Sequence, residues 1–510
     1  MALDHQSAAP GTAPTTPPPF DRRVWLVGGG VFALLMVFST RYGFHRDELY
    51  FLDCARHLQG GYVDQPAFTP LLARLTLELW GVSLPGLRLW PALAGGLTVV
   101  VCGLIARELG GARTAQLLAA FGAATMPTLL GADHIADTTG FDILAWAAFA
   151  LVVLRVARTR EPRWWVVGGI VLGLGLTNKH SIGFFALALF VGALLSGGSR
   201  LVLNRWFLIG VVVAALFTVP DLWWQAGHQW ATIAMTRSLA QENGGLGNIG
   251  TWIAGQLGMT SLALVGVWIA GSWFLWRSAN PMHRALVWAY GLLFVFFALT
   301  TGAKIYYLAG AYLYLLGAGA VAVQGWLSQG RHRTRSLVLA TALTTVVSLP
   351  FVLPVLPASD TGWFYGVNPI PGEMVGWPEL VHTVRSVWFS LPPTERSAAV
   401  IFTADYGEAG AINELGRDEG LPTATSGHNN EWWWGPGNPR ATTVVAVAPG
   451  PRDVTDYGSY LSRFFGSVRV VATLSNDAGI HNQEWGGHVY LCSELRRPWG
   501  VIWPQLRHYG

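Results

Sequence analysis

Eleven stretches of nearly uninterrupted apolar residues run through the chain, near 24–40, 86–106, 114–131, 140–157, 164–177, 181–196, 205–222, 252–276, 285–301, 304–326 and 336–356. A helix needs about 20 apolar residues to cross a bilayer, and inside lipid the backbone has to satisfy its own polar groups. So many runs of this length predict an α-helical polytopic membrane domain. Several are shorter than ideal, which tilt or half-spans accommodate. Charge content agrees: only 12% of the 510 residues are charged, about half the share in a soluble domain. That is too little to cover a water-facing surface, so an ordinary soluble enzyme and a disordered chain are excluded. A dispersed net charge of +4 offers no surface for nucleic acid. Cys54, Cys102 and Cys492 fit no zinc spacing and no disulfide scaffold, although a Cys54–Cys492 bridge is conceivable in an oxidising compartment.

Residues 1–23, rich in Pro, Ala and Thr, read as a flexible cytoplasmic tail. The first apolar run follows Arg22 and Arg23 without a convincing cleavage site, and so reads as a span and not a signal peptide. With that tail inside, the inner loops hold Arg107 and Arg113, then Arg155, Arg158, Arg160 and Arg163. Arg200 and Arg205, Arg277 and Arg284, and Arg331, Arg333 and Arg335 complete the series. The alternate loops are poor in basic residues and carry Asp47, Glu48, Asp64, Asp133, Asp137 and Glu242. This positive-inside pattern predicts a multi-pass plasma-membrane protein with an extracytoplasmic C-terminal segment.

Residues 24–356 thus form the membrane domain, with a long first outer loop over 41–85. From 357 to 510 the long apolar runs stop. Ala399–Thr403, Thr443–Val447, Ser467–Leu474 and Val489–Cys492 read as strands, Gly407–Gly416 and Val454–Phe465 as helices. The alternation predicts an extracytoplasmic α/β domain.

The residues suited to chemistry collect in the outer loops. Phe44-His45-Arg46-Asp47-Glu48-Leu49-Tyr50 opens the first, before an amphipathic stretch and Gly61-Tyr62-Val63-Asp64-Gln65-Pro66. A carboxylate pair at a span's end, beside an interfacial helix, suits work on a lipid-borne substrate, while simple helix capping explains it equally well. Asp133 and Asp137 are spaced to share a helix face with His134 beside them, able to bind a cation or orient a base; a polar loop with an N-cap is the alternative. Of 33 lysines and arginines only Lys179 and Lys304 are lysines, both in short outer connections. Such ammonium groups could hold a phosphate or merely snorkel. In the C-terminal segment, Ser426 to Gly435 sets His428, Asn429 and Glu431 beside Trp432, Trp433 and Trp434. That mixture suits contact with an acceptor or sugar, a packed loop, or an interfacial anchor. Asp405-Tyr406-Gly407-Glu408 reads as a capped helix start.

Asp47-Glu48-x-Tyr50, then Tyr62-Val63-Asp64-Gln65-Pro66 with Pro70 beyond, resembles glycosyltransferase family 39 of the GT-C superfamily, which includes protein O-mannosyltransferases and lipid A aminoarabinose transferases. Asp137 before the fourth span, Lys179 after a Gly-rich span end, and Lys304 with Tyr307 match further family elements in order, over roughly residues 24–330. Gln65 departs from a family lysine, Ala67 from a second proline and His180 from a glycine.

The resemblance implies an enzyme that moves a sugar from a polyprenyl-phosphate donor to a hydroxyl of a lipid, glycan or protein at the extracytoplasmic face. It implies a single inverting displacement with Asp47 as base, and Glu48 and Asp137 holding the cavity's polarity or a cation. Lys179, Lys304, Arg46 and Tyr307 would hold the donor phosphate, and Tyr50, Asp64 and Gln65 would form the substrate loop. No cofactor is certain; a divalent metal is possible, with His45, His134, Asp64 and Glu48 as candidate ligands. The competing class is a polytopic transporter or lipid flippase. Against it stand the lack of an internal repeat and charges at the ends of spans instead of at the midplane. A scaffolding membrane protein would leave the ordered acidic and lysine elements without a reason.

Overall fold

The computed structural model describes residues 16–242, 249–300, 303–450 and 456–510. Each apolar window is helical. In chain order the helices are α1 (Arg23–Phe38), α2 (Arg46–Arg56), α3 (Phe68–Trp80), α4 (Leu84–Glu108), α5 (Arg113–Ala124), α6 (Pro127–Ala132), α7 (Thr138–Thr159), α8 (Trp164–Leu176) and α9 (Ser181–Leu195). They continue as α10 (Ser199–Val202), α11 (Arg205–Gly227), α12 (Ala231–Glu242), α13 (Ile249–Gly258), α14 (Val265–Trp276), α15 (Pro281–Leu299), α16 (Ala309–Ser328) and α17 (Arg331–Val352). Among the described residues six helices are long and apolar enough to cross a membrane, or seven if a bent pair counts as one span, and three shorter apolar helices accompany them. The protein is a multi-pass membrane protein.

Two windows differ from straight spans. The run 114–131 breaks between α5 and α6, where Pro127 removes an amide donor and Met126 turns extended. The run 252–276 bends by 89° between α13 and the helical stretch 262–276. Polar N-caps start several spans: Ser83 for α4, Asp137 for α7, Asn204 for α11 and Asn280 for α15 each accept a backbone N–H. α4, α7 and the span ending in α16 form the buried centre, while α11 and α17 lie at the periphery. Gly169 and Gly210 let α8 and α11 touch backbone to backbone; a Cβ on Gly169 would come within 2.2 Å of the Gly210 carbonyl oxygen.

The C-terminal part is α/β. Its helices are α18 (Trp377–Ser390), α19 (Pro393–Arg396), α20 (Tyr406–Leu415), α21 (Asn429–Trp434) and α22 (Tyr457–Leu461). Its strands are β1 (Ala399–Thr403), β2 (Thr425–Ser426), β3 (Thr443–Ala448), β4 (Phe465–Thr473) and β5 (His488–Leu495), in the order β2-β1-β3-β5-β4. β1 pairs parallel with β2 and β3, and β5 pairs antiparallel with β3 and β4. α22 begins later than the helix expected from Val454, whose first residues lie outside the described ones. All three cysteines are buried and free, so the Cys54–Cys492 bridge does not form.

α2 belongs to both halves. Leu49 is buried in the same apolar cluster as Trp377, Leu380, Ile412 and Val445, and Gly410 of α20 packs directly on its backbone. Arg56 pairs with Glu414 at 2.5 and 2.7 Å, and Val63 N–H donates to Asn430 Oδ1 at 2.6 Å. The sheet domain is therefore bolted onto the first long loop.

Candidate active site

At the start of α2, His45 is the N-cap. Its Nδ1 accepts from the Asp47 amide, while the Glu48 carboxylate accepts from the His45 amide at 2.8 Å. Glu48 is fully buried. It takes two 2.8 Å bonds from the Arg88 guanidinium and one of 2.9 Å from the Ala136 amide. Burial alone would raise this carboxyl, but Arg88 outweighs it and holds it below the usual range. Arg88 also donates to the carbonyls of Ser39 and Gly43. Glu48 is thus spent on joining α2, α4 and the loop before α7.

Asp47, about 100° further round the helix, is used differently. It remains 28% exposed and accepts one hydrogen bond, from the Tyr406 hydroxyl at 2.9 Å. Tyr50, one turn on from Asp47, donates to Asp64 Oδ1 at 3.0 Å. Burial pushes the Asp64 carboxyl up to about 6, the Tyr50 bond working against it. In that loop the Tyr62 amide donates to the Gln65 carbonyl at 2.9 Å, closing a tight turn.

Residues 133–137 form turns and not a helix, so Asp133 and Asp137 share no helix face. Asp137 caps α7, accepting from the Thr138 amide and from Thr139 Oγ1 at 2.6 Å. Burial opposes its charge, and Lys179 overcomes this and keeps the carboxyl below its usual value. Asp133 and His134 are buried without hydrogen-bond partners among the described residues, Asp133 wedged against Gly95 and Gly140. Burial pushes the Asp133 carboxyl up.

Lys179 follows α8. Its ammonium donates to Thr139 Oγ1 at 3.3 Å and lies 5.1 and 5.7 Å from the ring centres of Tyr306 and Tyr307. Asn178 fixes this connection by donating to the Thr138 carbonyl at 2.7 Å and accepting from Thr69 Oγ1 at 3.0 Å. Asp64, Gln65, Lys179, His180, Phe297 and Tyr307 line a cavity of about 180 Å³. Tyr306 lies within electrostatic reach of both Asp137 and Asp47, which places the three side chains in one region.

Other candidates stand elsewhere. Lys304 is exposed and outside that lining. Arg46 lies outside the cavity lining but beside Asp47, its Nε 3.6 Å from Oδ1, while it donates to Gln483 Oε1 at 2.6 Å with its guanidinium 5.3 Å from the Tyr406 ring centre. His428 and Asn429 are buried against the Gly510 carbonyl at 3.2 Å each, and His428 also faces Asp405 at 3.3 Å. Trp432 donates to the Trp503 carbonyl at 3.0 Å. All three are hydrogen-bonded within their own domain. Three of the four metal candidates go to different partners, His45 to Glu373 at 3.0 Å, Asp64 to Tyr50 and Glu48 to Arg88, and the His134 ring has no hydrogen-bond partner among the described residues. No group of three potential ligand side chains gathers among the described residues.

Sequence reasoning did not single out Arg88, nor did it foresee that Tyr406 reaches Asp47. Tyr406 meets Asp47 across 359 positions, and no local signal marks such a pair. Arg88 carried one: an arginine just inside an apolar run has to find a carboxylate.

Spanning helices, a first loop folded back as two helices, and a sheet domain seated on that loop make up this architecture. Residues 64–224 match the family model of Dolichyl-phosphate-mannose-protein mannosyltransferase. ArnT from Cupriavidus metallidurans, in a structure bound to undecaprenyl phosphate, superposes with a TM-score of 0.63 at 15% identity, covering 92% of this chain and 98% of that one. Two Rhizobium johnstonii proteins are similar in sequence. The lipid A galacturonosyltransferase RgtD is 24% identical over 218 residues, 42% of this chain and 45% of that protein. The lipopolysaccharide core galacturonosyltransferase RgtB is 24% identical over 246 residues, 46% and 49%. The chain thus spans about half the length of the curated relatives it matches.

Proposed function

We propose that this protein is an integral-membrane glycosyltransferase that moves a sugar from a polyprenyl-phosphate donor to a hydroxyl acceptor on a lipid, glycan or protein. The observation that carries this reading is the cavity in which Lys179 faces Asp64 and lies beside Asp137, with Phe297 from α15 forming an apolar wall. A polar chamber continuous with spanning helices suits a substrate that is half lipid. The names and structure of the similar proteins support the same chemistry. Arginines at the opposite end of the bundle support a cytoplasmic N-terminus and an extracytoplasmic sheet domain.

In this mechanism the acceptor oxygen attacks the anomeric carbon as its proton passes to Asp47. The bond from that carbon to the phosphate oxygen breaks, and polyprenyl phosphate departs with the electron pair. One displacement inverts the anomeric centre. Asp47 suits this role because Tyr406 orients it while it keeps solvent access, whereas neighbouring Glu48 has no free lone pair to spare for it. Lys179 stabilises the charge that grows on the leaving phosphate.

Purified protein incubated with labelled polyprenyl-phosphate sugars tests the reading. Release of polyprenyl phosphate with labelled, inverted product is expected. Translocation of the intact donor without bond cleavage would instead identify a transporter or flippase.

A further inference from the structure

We propose that His180, held by Asp221, is a second group that grips the departing phosphate, with Gln65 supplying a further donor; this rests on the donor reading above. Lys179 and His180 are consecutive in the connection between α8 and α9, and both line the cavity. An ammonium has three donors, and Lys179 shows one on Thr139. His180 Nε2 lies 2.9 Å from Asp221 Oδ2, which occupies that nitrogen and leaves Nδ1 for a ligand. Gln65 is 3% exposed, lines the same cavity, and its amide nitrogen has no hydrogen-bond partner among the described residues. A buried amide donor is costly unless something accepts from it, and a phosphate oxygen in the cavity would do so.

Asp221 is itself well placed. It sits against Gly61 so closely that a Cβ there would meet Oδ1 at 2.3 Å. Gln225, one turn on, donates to the Tyr62 carbonyl at 2.9 Å. The His180 anchor is thereby tied to the loop that carries Gln65. The nearby carboxylates are engaged: Asp64 accepts from Tyr50, and Asp142 accepts the one proton of Ser181 Oγ, which lies 2.7 Å from both its oxygens. Phe184, Phe297 and Tyr307 add aromatic rings to the lining. An ammonium, an imidazole, an amide donor and three aromatic rings around one space recognise a phosphate ester that carries an apolar chain.

The full chain in lipid nanodiscs, titrated with undecaprenyl phosphate alone, provides the test, with inorganic phosphate as a parallel arm. His180→Ala should weaken lipid-phosphate binding about tenfold, the scale of one charge-assisted hydrogen bond. His180→Arg should restore it. In transfer assays the donor KM should rise more than kcat falls. Asp221→Asn should weaken binding less than His180→Ala and add nothing on top of it, a non-additivity that mere structural damage would not produce. Unchanged affinity in both His180→Ala and His180→Gln would overturn the assignment while the transferase reading stands. Tighter binding of inorganic phosphate than of the lipid would overturn it in favour of a free-phosphate site. Failure of the unmodified protein to bind undecaprenyl phosphate would bring down the donor reading itself.

Discussion

The two ends of the helix bundle treat their carboxylates in opposite ways. At the arginine-rich end, Glu108 closes α4 with Arg155 and Arg158 each 2.6 Å away and Arg107 at 3.7 Å. At the other end, about 36 Å along the same helix, Asp47, Asp64 and Asp137 each accept from a hydroxyl group, with Arg46 Nε 3.6 Å from Asp47. A carboxylate saturated by guanidinium groups has no lone pair left for a substrate and serves to hold helices together. One that accepts from a hydroxyl, with no guanidinium within hydrogen-bond distance, is oriented yet still able to take a proton. Glu48, buried under Arg88 beside Asp47, shows that the division operates even between neighbours.

The largest expected effect falls on Asp47. Asp47→Asn should lower transfer by about 10³-fold, within the range for losing a general base, with an unchanged melting temperature. Wild-type turnover would remove Asp47 from the mechanism and blur the contrast with Glu48. Lys179→Gln should cost about 10²-fold in kcat, as loss of an electrostatic stabiliser does. Tyr406→Phe keeps the ring and removes the hydroxyl that orients Asp47; kcat should drop about tenfold with little change in donor KM.

Glu108→Gln sharpens the comparison from the other side. It breaks a buried charge cluster, so stability in detergent should fall by about 3 kcal/mol, read from denaturant unfolding, while kcat of the folded fraction stays the same. A loss of activity per folded molecule would mean that the two ends are coupled. The smallest effect is a pH dependence. Because burial raises Asp64 to about 6 in the folded protein, its protonated form is the one folding favours. Its contribution to stability is complete below the ordinary carboxylate range and is lost as pH rises through about 6. Melting temperature followed from pH 4 to 7 should lose part of this slope in Asp64→Asn.

Much of the architecture could be read from residue order. Apolar runs of bilayer length have to become helices because lipid offers no partner to the backbone, and the alternating runs after residue 356 announced strands and helices close to those found. Asp137 and Lys179, singled out from sequence, do meet. Lys304 and Arg46 were chosen by the same logic of scarce charge and stand outside the cavity, because charge type does not say which way a loop turns. The stretch 133–137 has helical spacing, yet α6 ends at Ala132 and Asp137 caps α7, which leaves the residues between them as turns.

What the chain's order determined by itself, then, is a membrane bundle, an α/β domain after it, and the loops in which chemistry is possible. Only the tertiary structure decided which carboxylate is free. Asp47 and Glu48 are adjacent and nearly equivalent as sequence; Arg88, 40 positions on, consumes one, and Tyr406, 359 positions on, orients the other. The physical reason is that a carboxylate's availability depends on who occupies its lone pairs. Those partners arrive from distant helices and from the sheet domain, through packing that no local pattern encodes.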